Sequence, residues 1–98
     1  MKKKLLGTEV RLSGQLVCHT EHQAGIVRDH LPLHLSLTRA EQGCRSFNVT
    51  TTGNPLIWQV EECFENPAAF EAHQERVAGS AWGHATSGIE RRYSVTGR

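Results

Sequence analysis

The sequence predicts a single α+β domain in the order strand, helix, strand, strand, helix, strand, and three observations carry that reading. Residues 9–18 alternate apolar and polar side chains with the period of a half-buried strand. Residues 44–64 hold two runs rich in β-formers around a Gly53-Asn54-Pro55 turn, the pattern of a hairpin. Asn66-Pro67 is a strong helix start, with the amide as cap and the proline at the first helical position. A chain of 98 residues accommodates about one domain. The expected division is a flexible tail over residues 1–8 and one domain over 9–98.

Each element follows from its residues. Val10, Leu12, Gly14, Leu16 and Cys18 share one face of the first strand, with Arg11, Ser13 and Gln15 on the other. Thr20 and Gln23 form a capping box, so a helix begins near Glu21, and Ala24, Val27 and Leu31 continue it at helical spacing. Pro32 calls for a kink or a restart. Leu31, Leu33, Leu35 and Leu37 alternate as a strand would, yet residues 38–42 favour helix and Gly43 suits a left-handed stop. A helix through these residues points leucines to two opposite sides, and both then need cover. Arg45–Thr51 and Leu56–Phe64 are the hairpin strands. The second helix runs from Asn66-Pro67 to Gly79, and Ser80–Ala85 adds a short helical turn. Gly88–Val95 closes the domain as a strand with Ile89, Tyr93 and Val95 on one side. The order is the split β-α-β pattern of a ferredoxin-like fold with a kinked first helix.

Bulk properties exclude several classes of partner. Eleven Lys and Arg against ten Asp and Glu give a net charge of +1. That balance offers no basic face for nucleic acid or an anionic membrane. Two Trp, three Phe and one Tyr make no stacking platform for single strands. The three cysteines are odd in number and never form a C-x-x-C pair, which points to reduced, buried thiols and a cytoplasmic location. After the lysines of Met1–Leu6 only Leu5 and Leu6 precede Gly7, short of the roughly 7–15 apolar residues of a signal peptide. No run approaches the roughly 20 apolar residues of a membrane span. A domain of this size buries only about 60–65% of its unfolded surface, so a second subunit would strengthen the core.

Several residues are candidates for chemistry. His73 shares a helical stripe with Ala69, Phe70 and Val77, so it points inward, either as a proton shuttle or as a hydrogen-bonded core histidine. Glu62 falls on the strand face with Leu56, Trp58, Val60 and Phe64, where a carboxylate is costly unless paired. A Glu62–His73 contact would either orient the imidazole or serve as a structural ion pair. Trp82 and Trp58 would wall a planar substrate, Tyr93 would donate a hydrogen bond, and Arg91 would meet an anionic intermediate. Ordinary packing and rim positions account for the same residues. His30 and His34 are four apart, a spacing suited to two zinc ligands, but Pro32 intervenes and no third ligand accompanies them, so no metal is expected. His19 and His22 flank the helix start as exposed polar residues.

Gly43-Cys44 followed by Phe47, then Trp58–Phe64 (WQVEECF), then Asn66–His73 (NPAAFEAH) resemble the antibiotic biosynthesis monooxygenase family over residues 9–95. Glu62, Phe64 and His73 match its pattern at the right spacings. The resemblance implies a homodimer in which two four-stranded sheets face each other as a barrel, with a pocket between helices and sheet in each subunit. Some members oxidise phenols or quinols with O2, using no metal, flavin or haem; others bind or degrade haem. The chain departs from close relatives at Ala78–Trp82 (AGSAW), where they carry a further histidine and phenylalanine. Its first strand offers Gln15 where several members place an asparagine. The resulting expectation is a cofactor-independent monooxygenase of a small aromatic, quinol-like compound. His73 would be its base and Glu62 the orienter, with substrate contacts from Trp82, Trp58, Phe64, Tyr93 and Arg91. The alternative is a non-catalytic dimeric module that binds a small molecule, or haem, in the same pocket.

Overall fold

Alternation in the sequence becomes a four-stranded sheet, and the helical stripes become its cover. A computed structural model describes residues 8–98. The tail expected over residues 1–8 lies outside them apart from Thr8, whose hydroxyl donates to the Glu65 carbonyl at 2.8 Å. The elements are β1 (Val10–Val17), α1 (Glu21–Arg39), β2 (Cys44–Thr51), β3 (Ile57–Phe64), α2 (Pro67–Ala78), α3 (Ala81–Ala85) and β4 (Glu90–Thr96). The strands lie in the order β2-β3-β1-β4, and every neighbouring pair is antiparallel. This is the ferredoxin-like arrangement expected from the sequence.

Register decides which side chains face the helices. Leu12 stands opposite Glu62 and Val95, and Gly14 opposite Val60 and Tyr93. Phe47 stands opposite Glu62 from the other side. Because side chains alternate between faces, Leu12, Phe47, Val60, Glu62, Tyr93 and Val95 share one face. The opposite face carries Ser13, Gln15, Asn48, Gln59, Glu61, Arg92 and Ser94, so it is largely polar. A Cβ on Gly14 would lie 2.1 Å from the Arg92 carbonyl, so only glycine lets β1 and β4 pair this closely.

The first helix departs from expectation in three details. The Thr20 hydroxyl accepts from the Gln23 amide at 3.1 Å, but Gln23 Oε1 accepts from the amide of His19, at 2.7 Å, rather than from that of Thr20. Pro32 lies inside one continuous helix, so no restart occurs. The helix ends at Arg39, capped by Ala40, before Gly43 is reached. Gly43 supplies instead a left-handed residue (φ 92°) that turns the chain into β2, packed so closely that a Cβ would sit 2.6 Å from the Ala69 Cβ. That turn holds Glu41 beside α2. Along α1 the buried positions are Ala24, Val27, Leu31, His34 and Thr38, a 3.6-period stripe. Leu33 and Leu37 point away, 60% and 45% exposed, so the second apolar side of α1 is bare in the single chain.

α2 forms as the sequence predicts. Asn66 Oδ1 accepts from the Ala69 amide at 2.8 Å, Pro67 occupies the first turn, and Phe70 and His73 are the buried positions. Ser80 caps α3 by accepting from the Gly83 amide at 3.0 Å. No described helix is long and apolar enough to cross a membrane.

Candidate active site

Between the sheet and the three helices lies a cavity of about 310 Å³. Its floor is Leu12, Phe47, Val49, Val60, Glu62, Arg91 and Tyr93 from all four strands. Its roof is His34 from α1, His73 and Val77 from α2, and Trp82 from α3. The volume lies at the small end of ligand pockets, about 300–1,000 Å³, and suits a compound of one or two rings.

His73 is 3% exposed and is gripped from one side only. Its Nδ1 lies 2.9 Å from Glu41 Oε1, while the other oxygen of Glu41 accepts from Arg76 Nε. Arg76 in turn donates from Nη2 to the Thr38 hydroxyl at 2.9 Å. A carboxylate paired with an arginine accepts rather than donates, so Nδ1 carries the ring hydrogen and Nε2 keeps its lone pair. Nε2 lies 3.9 Å from Glu62 Oε1, within reach of an ion pair but beyond a hydrogen bond. The carboxylate hydrogen-bonded to the ring is therefore Glu41, while Glu62, the expected orienter, stands 3.9 Å from the other nitrogen. No sequence signal could have found this contact, since Glu41 sits in a turn 32 residues before His73.

The site's electrostatics follow from burial. Glu62 is 8% exposed and makes no hydrogen bond among the described residues, and its Oε1 is buried without a partner. Burial pushes its carboxyl up to about 7, and the charge of Glu41 adds to the effect. Burial lowers the pKa of His73, with the charge and hydrogen bond of Glu41 pulling the other way. His34 is held down to about 3, first by burial and then by His73, Arg76 and Arg91, so it is neutral near pH 7. Its ring stacks on Trp82 with centroids 4.4 Å apart and planes 1° from parallel, and its Nδ1 is buried without a partner. Burial raises the Tyr93 phenol to about 12, so it stays protonated and able to donate.

The other expected residues divide. Trp82, Tyr93 and Arg91 line the cavity. Arg91 spends donors on the loop after α3, giving hydrogen bonds to the carbonyls of Thr86 and Ile89 (2.8 and 3.0 Å) and to the Thr86 hydroxyl (2.7 Å). Trp58 and Phe64, expected as substrate contacts, stand outside the lining. Both face the helices, but the cavity lies over the middle of the sheet and they lie towards opposite ends of β3. Phe64 packs edge-on to Phe70 (5.9 Å) and against the His73 ring (4.8 Å), so it supports the imidazole from beside the cavity. His34 was legible only as a possible metal ligand beside His30. His30 instead lines a separate groove with Leu33 and Leu37, and no group of three or more described His, Cys, Asp or Glu residues is placed to hold a metal.

The antibiotic biosynthesis monooxygenase family model matches residues 18–84. Among solved structures, Rv0793 from Mycobacterium tuberculosis superposes with a TM-score of 0.71 at 18% identity, covering 90% of this chain and 92% of that one. PA3566 from Pseudomonas aeruginosa gives 0.72 at 17% identity, covering 93% and 94%. A candidate antibiotic biosynthesis monooxygenase from Nitrosomonas europaea gives 0.73 at 13%, covering 94% and 91%. At these identities the superpositions speak to the fold. No curated protein matches the sequence.

Proposed function

This chain belongs to the antibiotic biosynthesis monooxygenase family, and we propose that it oxidises a small phenolic or quinol-like compound with O2, without a cofactor, as a cytoplasmic homodimer. The observation that carries this reading is the Glu62–His73 pair in the wall of an otherwise largely apolar cavity. One hydroxyl oxygen can bridge atoms 3.9 Å apart at about 2.8 Å from each. A phenol held there donates its proton to His73 Nε2, while neutral Glu62 donates to the oxygen that becomes the phenolate. The phenolate surrenders an electron to O2 far more readily than the phenol does. One atom of O2 then replaces hydrogen on a ring carbon, giving the quinone, and the other leaves as water. Trp82 and Tyr93 bound the ring.

The test is oxygen uptake by metal-stripped protein with a panel of quinols and polyphenols, beside His73→Ala. Uptake that survives chelation and falls by about 10²–10⁴-fold in the variant is expected for loss of a general base. Equal uptake by both proteins removes His73 from the chemistry. No uptake by the wild type, together with saturable binding of the same phenols, favours the non-catalytic binding module. A Soret shift on haem titration would redirect that module to haem.

A further inference from the structure

His73 has a second side. Its ring lines the inner cavity and also an open cleft on the outside of α2, formed with Glu41, Gln42, Glu65, Asn66 and Arg76. Nε2 looks inward towards Glu62 and Nδ1 outward to Glu41, so a single imidazole joins the inner cavity to the outer cleft. The charged and titratable groups around it are few. From the turn after α1 comes Glu41, from α2 itself Arg76, from β3 Glu62, from the turn after it Glu65 at the cleft, from α1 His34, and from β4 Arg91 and Tyr93 at the cavity floor. Phe47 and Phe64 close the remaining sides with rings 5.6 and 4.8 Å away.

We propose that Glu41 is a positioning and relay residue: it fixes His73 with hydrogen on Nδ1 and passes the proton taken from the cavity out to the cleft. The proposal rests on the phenol-oxidising reading for the source of that proton. The step balances without any other reactant. The substrate O–H breaks as Nε2–H forms, Nδ1–H then breaks as the Glu41 carboxyl forms, and Glu41 releases the proton to solvent. His73 is then neutral with hydrogen on Nε2. That hydrogen goes to the oxygen atom that leaves as water while Nδ1 takes a proton back from solvent through Glu41, which restores the starting tautomer and leaves no net proton released. Arg76 holds Glu41 in place, and Thr38 holds Arg76, so the outlet is built from three elements that meet only in the fold.

The tautomer can be read without substrate, from long-range ¹H–¹⁵N spectra of the imidazoles in wild type and Glu41→Gln. The wild-type ring should carry hydrogen on Nδ1, and the variant should lose that preference while keeping its far-ultraviolet circular dichroism. With a turned-over phenol, Glu41→Gln should lower kcat about tenfold at unchanged KM, and added formate should restore part of the rate. A wild-type ring protonated on Nε2, or a variant with unaltered tautomer and unaltered kcat, overturns the proposal. If the wild type consumes no oxygen, the oxidation reading falls by itself, and the tautomers of the two proteins still decide what Glu41 does.

Discussion

Glu62 and His34 face one cavity from opposite sides, and they pull stability in opposite directions as pH changes. The folded-state pKa of Glu62 is raised from 4.5 to about 7, so between those values the folded chain holds the extra proton. Its contribution is therefore present below about 4.5 and is lost as pH rises through about 7, a swing of about 3 kcal/mol. His34 is depressed from 6.5 to about 3, so there the unfolded chain holds the extra proton and stability falls as pH drops below 6.5, by several kcal/mol. Urea midpoints across pH 4–8 should show Glu62→Gln matching the wild type near pH 4 and exceeding it at pH 8. His34→Phe keeps the stack on Trp82 and removes an unpartnered nitrogen, so its advantage should grow as pH falls. Parallel curves for wild type and both variants would show that neither group is desolvated. At this scale the sequence was informative where a residue's own neighbours in the chain decide its surroundings. His73 was legible because Ala69, Phe70 and Val77 mark the inward stripe. Glu41 was not, because a turn glutamate acquires its meaning only from the helix packed against it.

The elements were legible for a related reason: caps and alternation are local. Asn66 and Pro67 announce α2, and the Asn66 amide bond to Ala69 is formed as read. Replacing Asn66 with Ala should lower stability by about 1 kcal/mol in urea titration, and no change would mean that packing alone sets the start of α2. Pro32 is where local reading met a tertiary override. It leaves the Arg28 carbonyl without a helical donor, yet the burial of Val27, Leu31 and His34 carries α1 through it as one helix. Pro32 is exposed, so Pro32→Ala should raise the melting temperature, with a gain of up to about 3 kcal/mol. A loss would mean that the backbone fixed by proline is what seats His34 on Trp82. The cavity could not be read at this scale, because which sheet positions stay uncovered depends on how the three helices pack over the sheet.

For the whole molecule, the open question is what meets the face of the sheet away from the helices. No described helix covers it, and apart from the buried Val17 and Cys63 its side chains are largely polar: Ser13 donates to Glu61 at 2.8 Å and Gln59 to the same carboxylate at 2.7 Å. An antiparallel sheet can leave such a face to water. The proposed homodimer would set a second copy there, joined through a hydrogen-bonded, partly wet interface rather than an apolar one. Light scattering should then give twice the 10.9 kDa of one chain. Ser94 lies on this face of the edge strand β4, opposite Ser13, so Ser94→Glu would bury a charge against the second copy and should dissociate the pair into single chains that remain folded. Leu33→Glu, on the bare side of α1, should leave the dimer intact. If Leu33→Glu dissociates it and Ser94→Glu does not, the copies meet through α1. The cavity would then be covered from the Trp82 side, since Leu33, His34 and Trp82 line one groove there.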